Sequence, residues 1–202
     1  MTFLKPDFRA KAEGHGFLPS LGSGKRPALL AALGLCLLAA LFLREPADGQ
    51  APPTEYDVKA AFLLNFARFV EWPANAFPNA DAPITFCILG EDPFGQAIDT
   101  IMEGQTVSSR KVKVRRISGV PPPTTCQVLF LDRRTENMEE TLVRIGPRVL
   151  TVSEADQFLD DGGMIHFVIQ SRRVRFDINA RAANAAGLRL RSQFLGVARS
   201  VR

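Results

Sequence analysis

The chain has 202 residues, of which 46% are hydrophobic and 23% charged, with three cysteines and two histidines. That length suits one domain or two small ones, and the composition excludes a disordered or collagen-like chain. Three cysteines are too few for a disulfide-dense scaffold, and two histidines exclude zinc sites built from several His or Cys ligands. The net charge of +4 is unevenly spread: between Gln170 and Arg202 stand eight arginines against one acid, Asp177. Such a region faces an acidic partner, an anionic membrane or nucleic acid, or is simply solvated.

Residues 28–43 form a run of sixteen without a charge, preceded by Lys25 and Arg26 and closed by Arg44-Glu45-Pro46. A spanning helix wants about 20 apolar residues, and a secretory hydrophobic region about 7–15. The run therefore reads as a signal peptide, with an uncleaved inner-membrane anchor as the alternative. Both readings keep the positive charges in the cytoplasm and export everything after Arg44. Residues 1–51 are thus a signal peptide or membrane segment plus a Pro- and Gly-containing linker, and 52–202 are the folded domain. Cys36 sits inside the apolar run after Leu35 and reads as apolar filler, not as a lipid-modified cysteine. Cys87 and Cys126 remain in the exported part, and an even count in an oxidising compartment suggests one disulfide. Whether the two meet within the roughly 7 Å a bridge allows is left open by sequence.

Thr54 and Asp57 form a helix start, and Val58 to Val70 is apolar on most faces, as in a helix buried on more than one side. Pro73 ends it. Ile84 to Leu89 is a nearly continuous apolar run, which predicts a strand covered on both faces. Asp92 and Pro93 predict an N-cap and first position for a helix reaching about Met102. Lys111 to Ile117 alternates basic and apolar residues, as in a half-exposed or edge strand. Cys126 to Leu131 reads as a second buried strand, and Thr135 to Ile145 as a helix. Val149 to Val152 is a short strand, and Ser153 with Asp156 predicts a brief helix. Met164 to Gln170 and Val174 to Ile178 make a hairpin through Ser171-Arg172-Arg173. Asn179 caps a helix through Ala186, and Ser192 caps the last one. Strands alternating with helices predict one α/β domain: a mixed, mostly parallel sheet, helices on both faces, and a carboxyl-terminal β-hairpin.

Catalytic chemistry is poorly served by these residues. Gly90-Glu91-Asp92-Pro93-Phe94-Gly95 is a strand-to-helix turn, yet its two carboxylates would repel a phosphate and read as an acidic helix cap. No Gly-x-x-x-x-Gly-Lys and no Gly-x-Gly-x-x-Gly occurs. His166 has no nearby nucleophile in sequence and reads as a packed or hydrogen-bonded strand histidine; an exported hydrolase would rest only on it and the acids. Adjacent acids such as Asp160-Asp161 and Glu139-Glu140 point apart and do not form a catalytic pair. No metal or organic cofactor is expected. Arg133-Arg134 and Arg172-Arg173-x-Arg175 lack interleaved aromatics apart from Phe176, so nucleic acid is not expected as a partner.

The segment from Tyr56 through Phe62-Leu63-Leu64-Asn65-Phe66 to Val70-Glu71-Trp72-Pro73 resembles the opening helix of the YfiR-like family. The resemblance continues through Phe86-Cys87-Ile88-Leu89-Gly90, Asp92-Pro93-Phe94-Gly95 and Cys126-Gln127-Val128-Leu129-Phe130. Further matches are Val149 to Ser153, Gly162-Gly163-Met164-Ile165, Val174 to Asn179 and Ala185 to Gln193, so it spans residues 56 to about 199. It implies a periplasmic, non-enzymatic α/β protein. It further implies repression of a membrane-bound diguanylate cyclase by binding its periplasmic sensor region, which lowers cyclic-di-GMP and biofilm formation. An outer-membrane lipoprotein that sequesters the repressor is a second implied partner, and a homodimer stays open. The family's cysteine pair falls on Cys87 and Cys126; a second, closely spaced pair found in some members is absent here. Arg172, Arg173 and Arg175, around the hairpin turn, are the candidate partner-binding residues. The competing reading is a periplasmic small-molecule-sensing or solute-binding domain.

Overall fold

The computed structural model describes residues 52–202. The charge-free run, Cys36, His15 and the linker up to residue 51 lie outside the described residues.

Helix α1 (Glu55–Phe69) opens the domain as its sequence predicts. Thr54 Oγ1 accepts from the Asp57 backbone N–H, and the Asp57 carboxylate accepts from the Thr54 backbone N–H at 2.7 Å. This reciprocal pair satisfies two otherwise orphaned donors. Ala60, Leu63, Leu64 and Ala67 recur every three or four residues and are buried. Phe66 lies 4.8 Å from Phe176 and 5.1 Å from Phe194, ring centre to ring centre, and so pins α1 onto the sheet and onto the last helix.

After the two-residue strand β1 (Val70–Glu71) come β2 (Ile84–Leu89) and α2 (Gln96–Met102). Next are β3 (Thr106–Val107), β4 (Arg110–Ile117), β5 (Val128–Leu131) and α3 (Met138–Ile145). Then follow β6 (Leu150–Ser153), β7 (Ile165–Gln170), β8 (Arg173–Ile178) and α4 (Ala180–Ala185). The chain ends with β9 (Arg189–Leu190), α5 (Ser192–Val197) and β10 (Ser200–Val201).

Eight strands form one sheet in the order β10-β8-β7-β6-β5-β2-β4-β3. The run β4-β2-β5-β6-β7 is parallel throughout, while β7–β8 and β3–β4 are antiparallel hairpins. The predicted mixed, mostly parallel sheet is thus present. All six residues of β2 and all four of β5 and β6 are buried, as expected of strands with helices on both faces. The larger core joins α1, α2 and α5 to one sheet face; the smaller joins α3 and Phe158 to the other.

Several local expectations are corrected. Asp92 does not cap a helix starting at Pro93: its carboxylate accepts from the backbone N–H groups of Phe94 and Gly95 and from Arg116, and α2 begins at Gln96. Helix α3 begins at Met138, not Thr135, with Asn137 in the left-handed region. The brief helix expected after Ser153 is a series of turns. Ser153 Oγ instead donates to the Leu131 carbonyl at 2.8 Å and accepts from Ala155 N–H, tying the ends of β5 and β6. Helix α5 is preceded by Arg191 as its N-cap residue, with no side-chain cap. The hairpin turn is Ser171-Arg172 alone, since Gln170 already pairs with Arg173.

Candidate interaction surface

The β7–β8 turn shapes one end of the sheet. Ser171 and Arg172 both take positive φ, 50° and 59°, the twist that a two-residue hairpin turn needs. Arg172, Arg173 and Arg175 are all exposed, and none makes an ion pair or side-chain hydrogen bond among the described residues. Period-two alternation sends Arg173 and Arg175 to the same face of β8, with Arg172 at the turn beside them. The structure therefore gathers the three into one basic tip. Arg172 and Arg173 also border a groove of about 510 Å³ with Thr54, Val58, Phe62 and Ile169, the last 52% exposed.

Further along β8, Asp177 is buried and bound by both ends of the Arg199 guanidinium, one contact being 2.8 Å. That hydrogen bonding holds the Asp177 carboxyl below its usual range. His166 is its cross-strand partner. Burial lowers the His166 pKa, opposed by the nearby Asp177 and Asp156 charges. Ser153 is the register partner of His166 on β6, but its hydroxyl donates to the Leu131 carbonyl.

Sequence reasoning passed over a second charged group, at the carboxyl ends of the central strands. Lys59 on α1 is 1% exposed, and its ammonium reaches Glu55, at 2.5 Å, and Glu154. Tyr56 donates to Glu154 at 3.0 Å, and burial together with that carboxylate pushes the phenol up to about 12. Glu91, Asp132, Arg133 and Arg134 complete a crevice of about 210 Å³. The crevice lies where the strand order reverses, between β2 and β5, the usual ligand position in open α/β sheets. Gly90 there has φ 92°, and a Cβ would lie 3.0 Å from Asp132 Cβ, so a glycine keeps the two turns close. The legible signal was a single lysine inside an otherwise apolar helix stretch.

Cys87 and Cys126 are joined by a disulfide, with Cα atoms 5.8 Å apart. It links buried β2 to the residue pair before β5 and packs in the smaller core. Among the described residues, no group of three or more His, Cys, Asp or Glu is arranged to hold a metal ion. No helix among them is long and apolar enough to cross a membrane.

The YfiR/HmsC-like family profile matches residues 56–199, from Tyr56 in α1 to Arg199 beside Asp177. No curated protein matches the chain. The matched stretch takes in nearly the whole described domain, and this chain belongs to the YfiR/HmsC-like family, whose members are periplasmic regulators rather than enzymes.

Proposed function

We propose that this protein is a periplasmic regulator that binds the sensor region of an inner-membrane diguanylate cyclase and represses it. The observation that carries the reading is the family match across residues 56–199. The exposed, unpaired arginines of the β7–β8 tip supply a surface suited to an acidic partner, since a rim of one sign steers association. In this reading cyclic-di-GMP output falls while the protein is bound, and an outer-membrane lipoprotein competes for it. Deleting the gene should raise cellular cyclic-di-GMP, and the purified chain should capture the periplasmic region of a cyclase. Unchanged cyclic-di-GMP on deletion, together with no capture, would refute the proposal. The crevice between β2 and β5 favours a second reading, a small-molecule-sensing domain. Heat stabilisation by a metabolite, lost in Arg133→Ala, would favour that reading.

A further inference from the structure

Strand β4 has one paired edge and one largely open edge. Its inner edge runs along β2 from Val112 to Ile117, whereas β3 covers the outer edge only at Arg110 and Lys111. The Val112 N–H points outward, to the Gln105 carbonyl at 3.1 Å, and the Ile117 carbonyl points inward, to the Gly90 N–H. In a parallel pair successive residues alternate in direction, so the backbone groups of Val114 and Arg116 also face outward. No strand among the described residues receives them.

The side chains on the two faces of this edge differ sharply. On one face Lys111, Lys113 and Arg115 are exposed at every second position, and none pairs with an acid among the described residues. The other cations of the strand are engaged. Arg116 binds Asp92 and Asp99 at 2.7–2.8 Å, and Arg110 lies 3.8 Å over the Phe77 ring and donates to the Ala82 carbonyl. On the opposite face the half-buried Val112 and Val114 border a groove of about 600 Å³ whose far wall is the α2 segment, with Asp99, Thr100, Met102 and Glu103.

We propose that the outer edge of β4 accepts an added strand from a partner protein, an extended segment in which acidic and apolar residues alternate. Backbone hydrogen bonds to Val114 and Arg116 would supply affinity and side chains the specificity. One face of the segment would set its acids against Lys111, Lys113 and Arg115. The other would lay apolar side chains against Val112 and Val114. A second copy of this chain is a poor occupant, because its own β4 edge is equally basic and like charges oppose each other across a pair. This inference stands apart from the cyclase reading and from the arginine tip.

The test uses the purified full chain and a synthetic peptide of about seven residues, the length of an ordinary strand, alternating Glu with Val. A control peptide of the same composition carries its acids in one block. The alternating peptide should bind, the block peptide less well, and Lys113→Glu with Arg115→Glu should weaken binding about tenfold. Val114→Pro removes an outward N–H without breaking a bond to β2, so the fold should persist and peptide binding should be lost. As a check that leaves the protein unchanged, the peptide is N-methylated on alternate residues. Methyl groups on the edge facing β4 should abolish binding, and those on the other edge should not. Equal affinity for the two N-methylated peptides, or equal affinity for the alternating and block peptides, would overturn the inference. So would binding to anionic phospholipid vesicles that displaces the peptide and survives Val114→Pro, since that marks a membrane-facing charge patch.

Discussion

Lys59 and Glu154 stand 95 residues apart in sequence and meet as an ion pair between α1 and the end of β6, with both side chains almost wholly out of water. Taking two charges from water costs several kcal/mol each, and the pair offsets that only while both members remain. Single removal of Lys59, as Lys59→Ala, should destabilise by about 3 kcal/mol because Glu154 is left buried beside Tyr56. Lys59→Met with Glu154→Leu should recover most of the loss. Denaturant melts of the three variants measure this directly, and equal stability of the single and double variants would refute it.

The disulfide closes a loop of 39 residues, for which the chain-entropy account gives about 4 kcal/mol of stabilisation. Cys87→Ser with Cys126→Ser should therefore lower Tm markedly while leaving the secondary structure in place. Protein purified from the periplasm should show no free thiol at these positions before reduction. Two titratable thiols in that material would contradict the bridge.

Much of this architecture was legible from local patterns. The capping pair at Thr54 and Asp57, the apolar runs of β2 and β5 and the β7–β8 hairpin each carry a complete signal within a few residues. One helix start differs where a distant side chain intervenes. Asp92 has the character of an N-cap, yet Arg116, 24 residues later, draws its carboxylate into a turn. The two-residue strands β1 and β9 have no pattern of their own and exist because Val70 and Leu190 are brought together by tertiary packing. Lys59 was hidden for the same reason: local sequence shows a lysine in a helix, and only the fold supplies Glu154. The arginines of the hairpin were visible as a cluster, but their convergence into one tip follows from the register of β8.

His166 and Asp177 predict separate pH windows. Burial holds the folded His166 pKa below its unfolded value of about 6.5, so the unfolded chain takes up the proton first as pH falls. Its contribution is complete above that value and is lost as the pH drops through the folded one. The Asp177 carboxyl is also depressed, so its contribution is present above its unfolded pKa near 3.9 and is lost only in stronger acid. Thermal melts of wild type should weaken as pH falls below the unfolded His166 value of about 6.5, and His166→Gln should flatten that slope. An unchanged slope in His166→Gln would assign the pH dependence elsewhere.

The basic tip predicts an effect on association rather than on stability. Arg172 and Arg173 are exposed and bind nothing within the domain, so replacing both with Ser removes charge without leaving a buried group unpaired. Arg172 does adopt φ 59°, and Ser in its place meets the same backbone demand, so the turn should be affected little. Exposed charges act chiefly on encounter and are screened beyond about 8 Å at physiological salt. With the cyclase sensor region as partner, the double variant should associate more slowly at low salt and approach wild type as salt rises. Its association rate should therefore depend less steeply on ionic strength, while its dissociation rate and Tm stay close to wild type. Association rates at two salt concentrations decide the matter: equal salt slopes for the two proteins would mean that these arginines serve solubility and do not face the partner.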